Sequence, residues 1–573
     1  MVNQLNISLK NTTSSTVYAY ITGRAPRSDV QDGVLCLLQA DGKTPYFPQS
    51  PPVDQAPLAV DCTIRLGPPG SNTVVTIPQL SAARIWFSLN IPLVFRLNRS
   101  AAGSQSPGLV EPSVANPSDP NINTNWGFCE FTLNDFQLFA NISYVDFVSL
   151  PISMALTNLS GQTQVVKGIP KNGLENIARA LISQNAIDNA GWDKLIVKSP
   201  SGQILRILSP NLGQRMDSSI LAGYFEPYVD LVWNKYTNTP LTVDTQAAPG
   251  VVQGKVSGNK LLFPGVGEFT KPGSRDILTC DSGPFLTNTP GMRALTPRIA
   301  AAFNRSTLLS SSFEPANPAD AYLHRITNHY SRIVHENNID RRGYAFPYDD
   351  VNPSGGSDQS GSAADQNPSL LTIVVGGSSG FDARSRIQAE SFDQNNGVLT
   401  EPTNDIGGGN NVGWIKNGDW IGFNNVSFIG TGLNVFVVRV ASGAATGITG
   451  TVQLVLDNLN ATPVATFNIQ GTGGWQIWRT VTTRMNTRVT GTHTVYLKFA
   501  SSQEADFVNV NWFTFQQATA PPPALPTPPT PPAVPTPAPS GRKYKSVAYF
   551  VNWVRYGPQS LTPKYIAFFS RSL

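Results

Sequence analysis

Residues 1 to about 350 run in short segments that alternate apolar and polar positions and break at Gly, Pro and Asn. A repeat of two is the mark of a half-buried strand, so the pattern predicts a mainly β protein. One interval departs from it. In "NGLENIARALISQNAIDNAGW" (172–192), Leu174, Ile177, Ala178, Leu181 and Ile182 follow one another at spacings of 3, 1, 3 and 1. Those spacings make one apolar stripe of a helix. A second helix is expected at about 318–338, "PADAYLHRITNHYSRIVHENN". It carries His324, His329 and His335, whose spacing is not that of a metal-binding H-E-x-x-H, so packing and hydrogen bonding are the expected roles. The polar, Gly/Ser-rich run "NPSGGSDQSGSAADQNP" reads as a loop, and residues 352–380 as a linker region. Alternation resumes over 381–517, which predicts a second, smaller β-sandwich. A Pro/Thr-rich stretch, 518–541, reads as an extended spacer. The 32 residues after it, 542–573, are too few for an independent domain.

The segment "CEFTLNDFQLFANISYVDFVSL" (129–150) reads as two strands and holds two carboxylates sixteen residues apart. Period two puts Glu130, Thr132 and Asn134 on one face of the first strand, with Phe131 and Leu133 opposite. In the second strand it groups Tyr144, Asp146 and Val148 against Val145 and Phe147. A symmetric hairpin about residue 138 would oppose Glu130 and Asp146 directly, about 5 Å apart at Cβ. A bulge, a slip or a wider loop would separate the carboxyls to about 6.5–9.5 Å, enough to admit a water. The pattern alone leaves both arrangements open, beside a third in which the two acids are ordinary surface groups.

Composition narrows the partners. Charged residues make up only 14% of the chain and net charge is +4. There is no long basic run, so nucleic acid is not an expected partner. No apolar run approaches the roughly 20 residues of a membrane helix. The four cysteines, Cys36, Cys62, Cys129 and Cys280, have no C-x-x-C spacing; one or two disulfides of unassigned pairing are expected. Eight N-x-S/T triplets, at Asn6, Asn11, Asn98, Asn141, Asn158, Asn304, Asn425 and Asn460, suit an extracellular protein. The start "MVNQLNISLKNTTSS" lacks a charged n-region followed by an apolar h-region, so a secretion signal is expected to lie outside this chain.

Five segments in order, "GFCEFTLND", "SYVDFVSLPI", "AAFNRSTL", "ITNHYSRIVHENNID" and "GYAFPYDDV", resemble glycoside hydrolase family 64, the laminaripentaose-producing β-1,3-glucanases. The resemblance covers nearly all of residues 1–351. It implies a thaumatin-like β-sandwich with a mixed α/β lobe and a wide groove for β-1,3-glucan. It further implies endo-hydrolysis of β-1,3 linkages with inversion, laminaripentaose among the products. Carried over by motif, Glu130 is the general acid, Asp146 the general base, and Thr132 and Asn134 line the groove. Asp349 and Asp350 of "YAFPYDDV" are lesser candidates, since residues after Pro347 also suit a plain turn.

Five further segments, "RIQAESFD", "VGWIKNGDWIGFNNV", "GGWQIWRTVTT", "GTHTVYLKFA" and "FVNVNWFTF", resemble carbohydrate-binding module family 6. That resemblance implies a glycan held between Trp414 and Trp475, with Asn509 as a hydrogen-bonding partner. Trp420, Trp478 and Trp512, embedded in strand-like runs, are expected in the core. It also implies a structural calcium on Gln388, Glu390 and Asn511; Asn511 stands where the family often has Asp. No cofactor is expected for catalysis. Finally, "YKSVAYFVNWVRYGPQSLTPKYIAFF" (544–569) resembles the start of family 18 chitinases without their acidic motif, and reads as a truncated fragment. The expectation is thus a secreted, monomeric, modular endo-β-1,3-glucanase (a glucan endo-1,3-β-glucosidase). The alternatives are a catalytically silent β-glucan-binding lectin-like protein on the same folds and a glucanase–chitinase, which the missing acidic motif opposes.

Overall fold

The computed structural model describes residues 3–517, less 14, 103, 105, 201, 288, 357, 378–380, 385 and 406–409. The expected Pro/Thr spacer and the chitinase-like fragment lie outside the described residues. Two separate apolar cores account for two domains.

The first core is closed between a five-stranded and an eight-stranded sheet. In the five-stranded sheet the order is Thr163–Val166, Ile152–Asn158, Pro368–Val375, Gln4–Asn11, Asn72–Pro78. In Gln4–Asn11, Leu5, Ile7 and Leu9 are buried while Gln4 and Asn6 are exposed, the period of two that the sequence shows. In the other sheet, the strand Trp126–Leu133 lies between Leu138–Asn141 and Leu80–Leu89. Trp86, Trp126, Phe128 and Phe147 pack edge to tilted face beneath it, with centroids 4.9–5.7 Å apart. A lobe of helices and a second five-stranded sheet, from Leu241–Asp244 to Gly267–Thr270 with Phe313–Glu314 at one edge, completes the domain.

The expected linker 352–380 is largely built into the first domain. Pro368–Val375 runs parallel to Gln4–Asn11 and antiparallel to Ile152–Asn158, with Leu371, Ile373 and Val375 fully buried. Ser362–Asp365 pairs with Leu138–Asn141 at the sheet edge. The helix expected at 172–192 spans Gly173–Asp188 and stops at Asn189, whose φ of 52° is the left-handed end of a helix. The helix expected at 318–338 is only His329–Asn337. Tyr322 has φ 62°, which no helix accepts, and Asn328 Oδ1 accepts from Ser331 N at 3.1 Å to start the helix. His324 therefore lies outside it, and His335 is held by Asp349 (Nε2–Oδ2 2.9 Å). Helices Glu226–Asn238 and Pro290–Asn304 were not anticipated. All four cysteines are buried free thiols, not disulfides. Asn11, Asn141 and Asn304 are buried as well, so those three triplets are not glycan acceptors.

The second domain is a β-sandwich built on two long strands, Trp420–Ser442 and Gly474–Ser501, whose repeated register shifts bend them along their length. Phe423, Phe436, Phe513 and Phe515 fill its centre. Of the three tryptophans expected in that core, only Trp512 is buried; Trp420 and Trp478 are half-buried.

Candidate active site

Glu130 sits mid-strand in Trp126–Leu133, between Arg84 on one neighbour and Asn141 on the other. Glu130 and Thr132 are half-buried while Cys129, Phe131 and Leu133 are buried, so the alternation holds up to Leu133. Asn134 leaves that face. It opens the tight turn to Leu138–Asn141, where its Oδ1 accepts from the N–H groups of Phe136 (2.9 Å) and Gln137 (3.0 Å).

The register excludes the hairpin centred on residue 138. Glu130 faces Asn141, and Asp146 lies five residues further on, past the end of that strand. After Asn141 the chain bends. Ser143 bridges to Tyr344, and the Asp146 carbonyl accepts from Ser209 N at 2.8 Å as Phe147–Val148 joins the strand Ile204–Leu208. Tyr144, Phe147 and Val148 are all buried and Asp146 half-buried, so the expected grouping of Tyr144, Asp146 and Val148 on one face is wrong. A bend between two sheets meets the core on more than one side and loses period two.

The two acids nevertheless share one electrostatic site. Burial raises the pKa of Glu130; Arg84 opposes the shift, and the charge of Asp146 adds to it. Arg84 Nε donates to Glu130 Oε1 at 3.2 Å, and its Nη1 donates to Glu111 Oε2 at 2.9 Å. The guanidinium is steadied over the rings of Phe128 (4.5 Å) and Trp86 (5.3 Å). Arg84 and Glu111 were missed in the sequence, because cross-strand neighbours leave no local motif.

Next to Glu130, Asn141 buries an Oδ1 that makes no hydrogen bond. It lines a pocket of about 440 Å³ with Phe139, Tyr344, Asp350, Ser360 and Ser362. Asp350 thus lines the pocket that Asn141 enters. Asp349 does not: it is fully buried between Arg305 (2.9 Å) and His335, which together hold its carboxyl below the usual range despite burial.

In the second domain, Trp414 and Trp475 are 43% and 37% exposed, unusual for so large an apolar ring. Asn509, buried, donates from Nδ2 to the Trp475 carbonyl (3.0 Å) and to Glu401 Oε1 (2.9 Å). Gly413, adjoining Trp414, packs so closely over Asn509 that a Cβ there would come within 2.9 Å of Oδ1. The three predicted residues are therefore brought together. Glu401, which also accepts from Asn411 and Gln476 at 3.2 Å, was missed.

Gln388, Glu390 and Asn511 also cluster. Glu390 Oε2 and Asn511 Oδ1 are buried without a hydrogen-bond partner, as oxygens awaiting a hard cation would be. Burial pushes Glu390 up to about 7. Gln388 is diverted: its amide oxygen accepts from the guanidinium of Arg179 on the first domain's helix Gly173–Asp188. Glu390 and Asn511 fit a calcium ion in donor chemistry. Gln388 is turned to another partner. No group of three or more His, Cys, Asp or Glu side chains suited to a metal occurs among the described residues.

Fold and site together define a class, a modular protein with a carboxylate-bearing β domain followed by a β-sandwich that displays two exposed tryptophans. The family profile described as "Beta-1,3-glucanase" matches residues 3–375, well over half of the chain, and the chain belongs to that family, glycoside hydrolase family 64. The profile "Carbohydrate binding module (family 6)" matches residues 388–517. Over 288 residues the chain is 30% identical to the glucan endo-1,3-beta-glucosidase of Cellulosimicrobium cellulans, matching 49% of this chain and 50% of that protein. It thus spans about half the length of the curated relatives it matches first. A solved laminaripentaose-producing beta-1,3-glucanase, in complex with laminaritetraose, is similar at 29% identity and a TM-score of 0.57, covering 65% of this chain and 99% of that one. The beta-1,3-glucanase domain from Clostridium beijerinckii, at 22% identity and a TM-score of 0.51, covers 65% of this chain and 98% of that one and shares the fold.

Proposed function

We propose that the chain is an inverting endo-β-1,3-glucanase, with Glu130 as general acid and Asp146 as general base, releasing short oligosaccharides that include laminaripentaose. The observation that carries the reading is Glu130 itself. It is a half-buried carboxyl on the family's motif, its proton favoured by burial and by the charge of Asp146. In this mechanism Glu130 gives its proton to the glycosidic oxygen as the C1–O bond breaks. A water attacks C1 from the opposite face and loses a proton to Asp146. Arg84 then stabilises the Glu130 carboxylate through the hydrogen bond it already makes. Thr132, on the face of Glu130, is assigned to the sugar groove. Trp414, Trp475 and Asn509 are assigned to holding the polymer, since flat rings cover the C–H faces of sugars at little entropic cost. Because the substrate is an extracellular polymer, secretion is part of the proposal, and recovery of the chain from culture medium tests it.

Reducing-sugar release from β-1,3-glucan, against chitin, xylan and cellulose, tests the substrate. Proton NMR of fresh hydrolysate should show the α-anomer first. Glu130→Gln and Asp146→Asn should each lower turnover about 10²–10⁴-fold. A β-anomer appearing first would make Asp146 a nucleophile and withdraw its role as base.

A further inference from the structure

Glu130 has a second carboxylate in its circuit that the acid–base pair does not use. Glu111 follows the strand Gly108–Val110, and both acids hang on one guanidinium, Arg84. All three side chains are part-exposed to the same space, at 38% for Glu111, 33% for Glu130 and 28% for Arg84. Arg84 cannot turn its full fork to either acid, because Nε serves Glu130 and Nη1 serves Glu111. An Arg that grips a carboxylate with both nitrogens stabilises the anion strongly; a shared one does so less. The groups acting on Glu130 are Arg84 from the neighbouring strand and Asp146 from the bend, and the charge of Glu130 is felt in turn by Glu111, Tyr344 and the buried thiol of Cys129. Two carboxylates thus share one guanidinium, with the charge of Asp146 acting on both, and that imbalance favours keeping a proton within the set.

We propose that Glu111 is a positioning residue for the catalytic proton, dividing Arg84 so that Glu130 stays protonated at working pH. The idea rests on the reading of Glu130 as general acid. It goes further in assigning a role to a residue outside the acid–base pair. During the cycle the split guanidinium has a second use. When Glu130 has given up its proton, the hydrogen bond from Arg84 Nε meets a full anion, so the product carboxylate is stabilised more than the resting acid.

The test is the pH profile of kcat/KM for the full chain on soluble β-1,3-glucan. In Glu111→Gln the guanidinium belongs to Glu130 alone. The carboxylate is favoured, so the basic limb should move down by about one pH unit, a loss of about tenfold above the limb. Arg84→Gln should move the same limb upward. A merely structural role for Glu111 would scale activity alike at every pH, and that outcome overturns the proposal. If Glu111→Gln does not fold, judged by circular dichroism, Glu111→Ala takes its place, and an unmoved basic limb in that variant overturns the proposal too. Glu130→Gln run alongside separates the two levels. An active Glu130→Gln chain removes the acid assignment itself, whereas an inactive one with an unmoved Glu111→Gln limb removes only the role of Glu111.

Discussion

Glu314 is 2% exposed, at the edge of the lobe sheet, and burial pushes its carboxyl up to about 7 from an ordinary 4.5. Its partners are Thr307 Oγ1, donating to Oε1 at 2.7 Å, and Ala316 N, donating to Oε2 at 2.9 Å; both favour the anion but do not outweigh desolvation. The native state therefore binds a proton more tightly than the unfolded chain. The stability this contributes is complete below the unfolded pKa and is lost as pH rises through the folded one. The gap from 4.5 to about 7, at about 1.4 kcal/mol per pH unit, makes about 3 kcal/mol between pH 4 and pH 9. That figure is a ceiling, because water entering around a newly ionised group relieves part of the cost. Glu314→Gln keeps the shape, leaves an oxygen for Ala316 N, and removes the titration. Calorimetry of both chains at pH 4 and pH 9 isolates the group, since every other titration cancels in the double difference. The variant should gain on the parent by up to about 3 kcal/mol over that range. An equal difference at the two pH values would refute the buried acid as the cause.

Two further outcomes follow from the second domain. Trp414→Ala and Trp475→Ala should each weaken retention of the chain on insoluble β-1,3-glucan by about 1–3 kcal/mol, by analogy with stacking of flat rings on aromatics, while hydrolysis of short soluble oligosaccharides changes little; unchanged retention in both would place the binding face elsewhere. Calcium at a hundred times its dissociation constant should stabilise the second domain by about 2.7 kcal/mol, and the gain should fade as pH drops below the raised pKa of Glu390, about 7. Equal melting in calcium and in chelator, or a gain that survives Glu390→Gln, would remove the cation from Glu390 and Asn511.

What could be read in advance tracks how local each signal is. Glu130 and Thr132 share a face because the residues from Cys129 to Leu133 obey period two, and they do so in the structure. The same rule failed a few residues on, at Asp146, because the chain there passes between sheets and packs Tyr144, Phe147 and Val148 together. The linker misreading has a related cause. Ser362–Asp365 is a short edge strand in a polar run, and nothing in its composition tells of the neighbour Leu138–Asn141 that pairs with it. "SLLTIVV" (369–375) carries the alternation of a central strand, but follows at once on that Gly/Ser-rich run. The exposed Trp414 and Trp475 are separable from the half-buried Trp420 and Trp478 only through motif resemblance, since all four sit in similar-looking runs.

Arg84 marks where such reading stops. In sequence it is one arginine in "LSAARIWFSL", 46 residues before Glu130 and 27 before Glu111. Pairing of two strands brings it beside the first acid, and a separate loop brings the second. Glu130, proposed as the general acid, is picked out by the family resemblance that its own segment carries. The groups that set when it holds its proton arrive from elsewhere in the chain, through register and packing. The charge balance of the site is therefore a property of the fold, and the pH profile is the measurement that reads it.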